Sequence, residues 1–378
     1  MSDFQVRKLT GATFGPTNGK TALHDVIPAE WQGGHTNGKL SESAIMGDWS
    51  GGRGDLAGKR LYVRGGGHGD GANNGLYYYD FNGPSKPTGW VLAPNSLSTV
   101  ANIRPASGTR EGFPLMFDNY PPSVHSYDQA HFDPVLNRYY AISGSQWSSG
   151  NGALTSYFDL TANQWSTVSA PAGWATVPGV TRFGGTVLGK ADGTKLLWID
   201  GDYPNQVAFI TSAGAVTMAA CTMRRNSTGA GVCSVNIGGD NWMTLSVESG
   251  STYLYTHVLN WAASTITSTQ RTHASHASTL SGGNSSGGSL IYDAALNCVW
   301  AFGLVRHFTA STMAMEIIKI SLVDYSAAAY TLTGDSIAGD EITTAQGSYN
   351  RHIWFPQWRI VGTVQSYNQP MSIIKLPG

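Results

Sequence analysis

The side chains best suited to chemistry stand in glycine- and serine-rich stretches. RGGGHGDGANNG, Arg64 to Gly75, places His68 two residues from Asp70. In a loop, that spacing lets an imidazole and a carboxylate converge on one cation. Two ligands are too few for a stable site, so a partner such as His307 is needed. The stretch is not a phosphate cradle. It lacks the Gly-Lys-Ser/Thr ending, and the LYYYDF run after it reads as a strand, not a helix. The plainer reading is a turn in which glycines take positive φ and Asn73 or Asn74 tolerates the left-handed region. His273 and His276 in THASHAST sit three apart, a metal spacing on a helix, but their Ser, Thr and Ala neighbours point to a loop. Arg53-Gly54-Asp55 reads as part of a turn, and an integrin motif of three residues arises readily by chance. No metal and no cofactor is expected from these patterns.

Cleavage of a glycosidic bond asks for two facing carboxylates. Asp70 with Asp202 or Glu248 is one candidate pair; Glu111, Asp118, Asp335, Asp340 and Glu341 are further acids in connecting segments. Rings and guanidinium groups in the same segments fit another task. Aromatic faces stack on sugars or peptides, and arginine donates to hydroxyl and carboxylate oxygens. The ligand-binding set expected on these grounds is His68, Asp70, Trp147, Asp202, Tyr203, Arg224, Arg306, His307, Trp358 and Arg359. Arg225, His273, His276 and Tyr367 fall in the same connecting segments.

What positions such residues must be a scaffold of short strands. Only 12% of the 378 residues are charged, about half the usual share, and 47 are glycine. That composition favours strands joined by many turns. The formal net charge of −1 gives no reason to expect nucleic acid as a partner. No apolar run approaches the roughly 18 residues that cross a bilayer, so membrane insertion is not expected. The N-terminal MSDFQVRKLTGATFG has no apolar core of a secretory signal, so the expectation is synthesis in the cytoplasm. Cys221, Cys233 and Cys298 form neither a zinc pattern nor a disulfide framework and read as buried thiols.

The scaffold repeats. KRLYVRGGG, NRYYAISGS, TKLLWIDGD, NWMTLSVES, NCVWAFGLV and HIWFPQWRI are strand-like runs. Each is preceded by a run rich in small residues and followed by a further apolar run; five have a fourth run after that. A unit of four strands, a to d, thus recurs six times, with continuously apolar b and c strands that neighbours cover on both faces. The last unit lacks its d strand, and DFQVRKLTG near the N-terminus supplies it, which removes the open edge of the ring. The expected fold is an all-β propeller of six four-stranded antiparallel blades, with room in unit 1 and segment 12–42 for a degenerate seventh. The expected blades are 43–95, 124–171, 180–221, 229–270, 285–334 and 344–378, with 3–11 as closing strand, in one domain over 1–378. The long insertions fall in b–c and d–a connections, all on one face, where function is expected.

TSYFDLTANQW, with Tyr157, Asp159 and Trp165, resembles the end of a kelch repeat, LYVRGGG resembles its Gly-Gly strand ending, and YYYDFNGPSKPTGW repeats the pattern. The resemblance implies a kelch-type propeller, a group that includes the galactose-oxidase-like central domains. It implies no copper-radical site, since none of the three cysteines falls in a long b–c connection. Low charge with abundant Gly, Ser, Thr, Asn and Trp is similar to phage virion proteins. The expected function is therefore a non-catalytic recognition or assembly propeller in a virion, as a tail, tail-fibre or decoration component. Its expected partners are another virion protein or a cell-surface glycan. The alternative is a carbohydrate-active hydrolase or lyase with an axial carboxylate site.

Overall fold

Runs of apolar, β-branched and aromatic residues pair into six blade sheets of four antiparallel strands, as the repeat requires, with a three-stranded and a two-stranded sheet in the connections. A computed structural model describes residues 1–32, 44–47, 50–66, 71–83, 85–102, 120–121, 123–142, 145–146, 150–151, 155–168, 185–199, 206–223, 232–248, 251–280, 287–304, 308–309, 312–313, 315–337 and 348–378. Blade 1 runs from inner to outer strand as Gly52–Asp55, Arg60–Val63, Tyr77–Asp80 and Gly89–Leu92. Blade 2 is Ala130–Asp133, Arg138–Ile142, Thr155–Asp159 and Gln164–Val168. Blade 3 is Thr186–Gly189, Lys195–Ile199, Gln206–Thr211 and Val216–Ala220. Blade 4 is Cys233–Asn236, Asn241–Glu248, Ser251–Asn260 and Thr265–Arg271. Blade 5 is Ser289–Asp293, Cys298–Phe302, Glu316–Ser321 and Ala327–Thr331. Blade 6 is His352–Phe355, Ile360–Thr363 and Ser372–Lys375, completed by Gln5–Lys8 from the other end of the chain. The fold is a six-bladed β-propeller.

The closure is antiparallel, with Val6 opposite Ile374 and Lys8 opposite Ser372. Val6 is fully buried among Ile317, Leu332 and Ile374, so the strand is held by apolar packing as well as by its ladder. The next edge is covered too: Thr333–Gly334 pairs in parallel with Gln5 and Val6. On the other side of the seam, residues 17–20 exchange backbone bonds with Pro87, Thr88 and Trp90 at the outer strand of blade 1. Segment 12–42 forms no seventh blade among its described residues. It makes one-turn helices, and Leu23, Ile27 and Trp31 pack on Tyr77, Tyr79 and Trp90. No helix among the described residues is long and apolar enough to cross a membrane.

Two inner strands differ from the expected registers. The small-residue run SAIMGDWS is not the inner strand of blade 1; Ala44–Gly47 is a helical turn, and Gly52–Asp55 takes the inner place. The crowded axis explains it, because a Cβ on Gly54 would meet the Ile353 Cα at 3.0 Å. Arg53-Gly54-Asp55 is therefore strand, not turn. HIWFPQWRI is likewise a hairpin, not one strand: Pro356 cannot donate to a ladder, and Arg359 enters the left-handed region at φ 53°.

Five of the short turns share one construction. Asp133 Oδ1 accepts the amides of Val135 and Leu136, and Asp159 Oδ1 accepts those of Thr161 and Ala162. The turns close at Asn137 and Asn163, each at φ 51°. Asp55, Asp293 and Asn260 cap equivalent turns that close at Lys59, Asn297 and Ser264. A side chain that copies a backbone turn, followed by a residue tolerant of positive φ, keeps these connections short. Blades 1 and 2 share a further feature. Arg60 lies 3.5 Å from Asp80 and over the Tyr78 ring; Arg138 lies 3.6 Å from Asp159 and over Tyr157.

Candidate functional site: the axis of the ring

His68, Asp70, Trp147, Asp202, Tyr203, Arg224, Arg306 and His307 lie outside the described residues. In sequence, all eight fall between the described b and c strands or between the described d and a strands. Trp358 and Arg359 are placed elsewhere. They belong to the a–b turn of blade 6 and so to the opposite face. Trp358 is exposed, whereas Arg359 is a structural clasp: Nη1 donates to Asp293 Oδ1 at 3.2 Å, Nη2 to Asp293 Oδ2 and Nε to the Pro377 carbonyl. Burial pushes the Asp293 carboxyl up, but Arg359 and the Trp300 indole outweigh it and hold it below the ordinary value. Asn73 and Asn74 do not adopt positive φ; of this stretch, Gly66 does, at φ 120°. Both asparagines are buried, and their amides tie the stretch to Tyr77, Gly75, Pro121 and Ser98. His276 begins a one-turn helix and bonds the Tyr325 carbonyl. No group of three or more His, Cys, Asp or Glu among the described residues could hold a metal. All three cysteines are free and buried.

The centre of the ring is organised by a residue that sequence reading passed over. Asp128 just precedes the inner strand of blade 2, and its carboxylate is wholly buried. Oδ1 meets Arg53 Nη1 of blade 1 at 2.5 Å and accepts from Asn350 Nδ2, ahead of blade 6, at 2.7 Å. Oδ2 accepts from Thr186 Oγ1 of blade 3 at 2.5 Å and from the Ser234 amide of blade 4 at 3.0 Å. Asn350 passes the network to blade 5 by accepting from the Leu290 amide at 2.8 Å. Every lone-pair direction of the carboxylate is thus occupied, as a buried charge requires. Tyr127 and Tyr349 flank this hub at φ 44° and 40°, with their rings edge to face. A bulky residue in the left-handed region costs of order 1–3 kcal/mol and persists only where its surroundings determine it. Here the hub bonds on either side supply that determination.

Beyond the hub, toward the short turns, the inner strands enclose a cavity of about 480 Å³. Leu56, exposed in the a–b turn of blade 1, stands on its wall. Phe132, Val187, Val235, Leu290, Ile291 and Ile353 supply apolar lining, and Trp242, Tyr292 and Trp354 supply larger rings. His131 and His352 line it as well; burial, then the nearby Arg53 guanidinium, pushes both imidazoles down to about 3. Both are therefore neutral near pH 7. The lining includes no carboxylate among the described residues; Asp128 is enclosed by its partners. Of the acids weighed for glycoside cleavage, Asp335 accepts from the Lys8 amide at 2.9 Å and anchors the closing strand.

No family profile matches the chain, and no curated protein matches it. Among solved structures, a similar chain is Kuenenia stuttgartiensis hydrazine synthase. It is 10% identical, with a TM-score of 0.41 over 88% of this chain and 76% of that one.

Proposed function

We propose that this chain is a kelch-like recognition and assembly propeller, a virion component of a phage tail, tail fibre or capsid decoration. In this reading its long-connection face meets another virion protein or a cell-surface glycan. The observation that supports it most is the division of connections between the two faces. Most a–b and c–d turns are short and several are capped by their own Asp or Asn side chain, while the longest connections are b–c and d–a. Long segments on a rigid frame are the usual seat of recognition. His68, Asp70, Trp147, Asp202, Tyr203, Arg224, Arg306 and His307 all belong to those segments, and their residue types suit hydroxyl, carboxylate and peptide surfaces. The kelch reading draws on the Arg, Tyr and Asp arrangement that blades 1 and 2 share. The virion reading draws on composition, with low charge and abundant Gly, Ser, Thr, Asn and Trp.

The test is a glycan array read for both binding and cleavage, run beside co-sedimentation with virion particles. The expected result is association with a glycan or a virion protein without cleavage, weakened by His68→Ala with Asp70→Ala. Cleavage of a bound glycan would replace this reading with a hydrolase or lyase. Absence of both glycan binding and virion association would end it.

A further inference from the structure

The axial cavity contains polar groups that the protein leaves without partners. The Trp242 indole Nε1 and His352 Nδ1 are buried and make no hydrogen bond with any described residue. His131 and Tyr292, both half-buried, line the same wall. Three polar neighbours on the hub side are engaged elsewhere. Asn350 and Ser234 are spent on the hub and on Thr244, and Arg53 is spent on Asp128 and on backbone carbonyls. Buried polar groups are normally paired, so two unpaired ones beside an open volume, with a further imidazole and a phenol on the same wall, mark a place where a ligand supplies the partners.

The chemistry of the set narrows that ligand. Arg53 has its charge countered by Asp128, and the imidazoles are neutral, so the wall offers no net charge to attract an ion. Each neutral imidazole carries one donor and one acceptor, the phenol is both, and the indole donates. A partner that donates and accepts at several points while staying uncharged is a polyol. Trp354, Tyr292 and Trp242 add flat apolar surfaces against which C–H faces pack. The volume, about 480 Å³, lies in the range of small-molecule sites. We propose that the axial cavity, on the short-turn side of the hub, binds a neutral hydroxylated ring, one or two sugar units in size. This site is separate from the long-connection face and does not depend on what that face recognises.

The test is calorimetric titration of the full chain with glucose, galactose, N-acetylglucosamine, lactose and cellobiose. Wild type is compared with Tyr292→Phe, with Tyr292→Phe/Trp354→Leu and with His68→Ala/Asp70→Ala, each checked by thermal melting. At least one sugar is expected to bind wild type. Affinity is expected to fall about tenfold in the double cavity variant, which corresponds to about 1.4 kcal/mol, and to stay unchanged in the long-connection variant. If the double variant does not fold, Tyr292→Phe, which removes one oxygen, is decisive and is expected to weaken binding severalfold. Binding of none of the five sugars overturns the proposal. So does binding that survives the cavity changes, or that is lost only in the long-connection variant; the last result would leave the recognition reading standing.

Discussion

The two halves of the propeller axis are both lined by polar side chains but treat them in opposite ways. On the side of the long connections, Asp128, Arg53, Asn350, Thr186 and Ser234 satisfy one another completely and shut the ring. On the side of the short turns, His131, His352, Tyr292 and Trp242 line an open volume, and the Trp242 indole and His352 Nδ1 are left without partners. A saturated buried network specifies a structure, because each member is costly to leave unpaired. An unsaturated one carries that cost until something else enters. The difference separates residues that hold the blades from residues available to a ligand.

The comparison can be broken at four places. The largest effect is expected from Asp128→Asn, which leaves Arg53 facing a neutral amide at the centre of the ring. A loss of about 3–5 kcal/mol in urea unfolding is expected. Next comes the pH response of the two cavity histidines. In the unfolded chain they titrate near 6.5, while in the fold they are held down to about 3. Between those values the unfolded state binds more protons, so stability falls as pH drops, by about 1 kcal/mol per pH unit for each. Unfolding at pH 7 and pH 5 should show a loss that His131→Gln with His352→Gln largely removes. Third, Asp133→Ala strips one turn of the two amide bonds its carboxylate accepts, at a cost of about 1–2 kcal/mol, with sugar binding unchanged. The smallest effect on stability, within about 0.5 kcal/mol, is expected for Tyr292→Phe, since it removes one oxygen from a half-buried wall residue and keeps the ring.

Much of the frame was legible in the sequence. Four-strand units, their outer apolar runs and the N-terminal closing strand follow from patterning, because b and c strands covered on both faces must be apolar along their whole length. The spacing of Asp133 to Asn137, and of Asp293 to Asn297, marks turn and register together. The inner strands were harder. Gly52–Asp55 has little apolar content because the axis leaves no room for side chains, and His352–Phe355 merges with the next strand into one apolar run. Pro356 was the signal that the run breaks. Arg359 looked like a surface contact, yet its reach to Asp293 makes it a clasp between blades 5 and 6. The hub was illegible for a topological reason: Asp128 and Asn350 are 222 residues apart, and only the closed ring brings them together. The buried thiols, by contrast, follow directly from Cys233 and Cys298 standing inside apolar strands.

The most direct test sets the two ends of the axis against each other in one experiment: urea unfolding of wild type, Asp128→Asn and Tyr292→Phe at pH 7. The expected result is an unfolding free energy lowered by about 3–5 kcal/mol for Asp128→Asn and a curve superimposable on wild type for Tyr292→Phe. Equal losses in the two variants, or an Asp128→Asn protein as stable as wild type, would contradict the division of the axis into a holding end and a binding end.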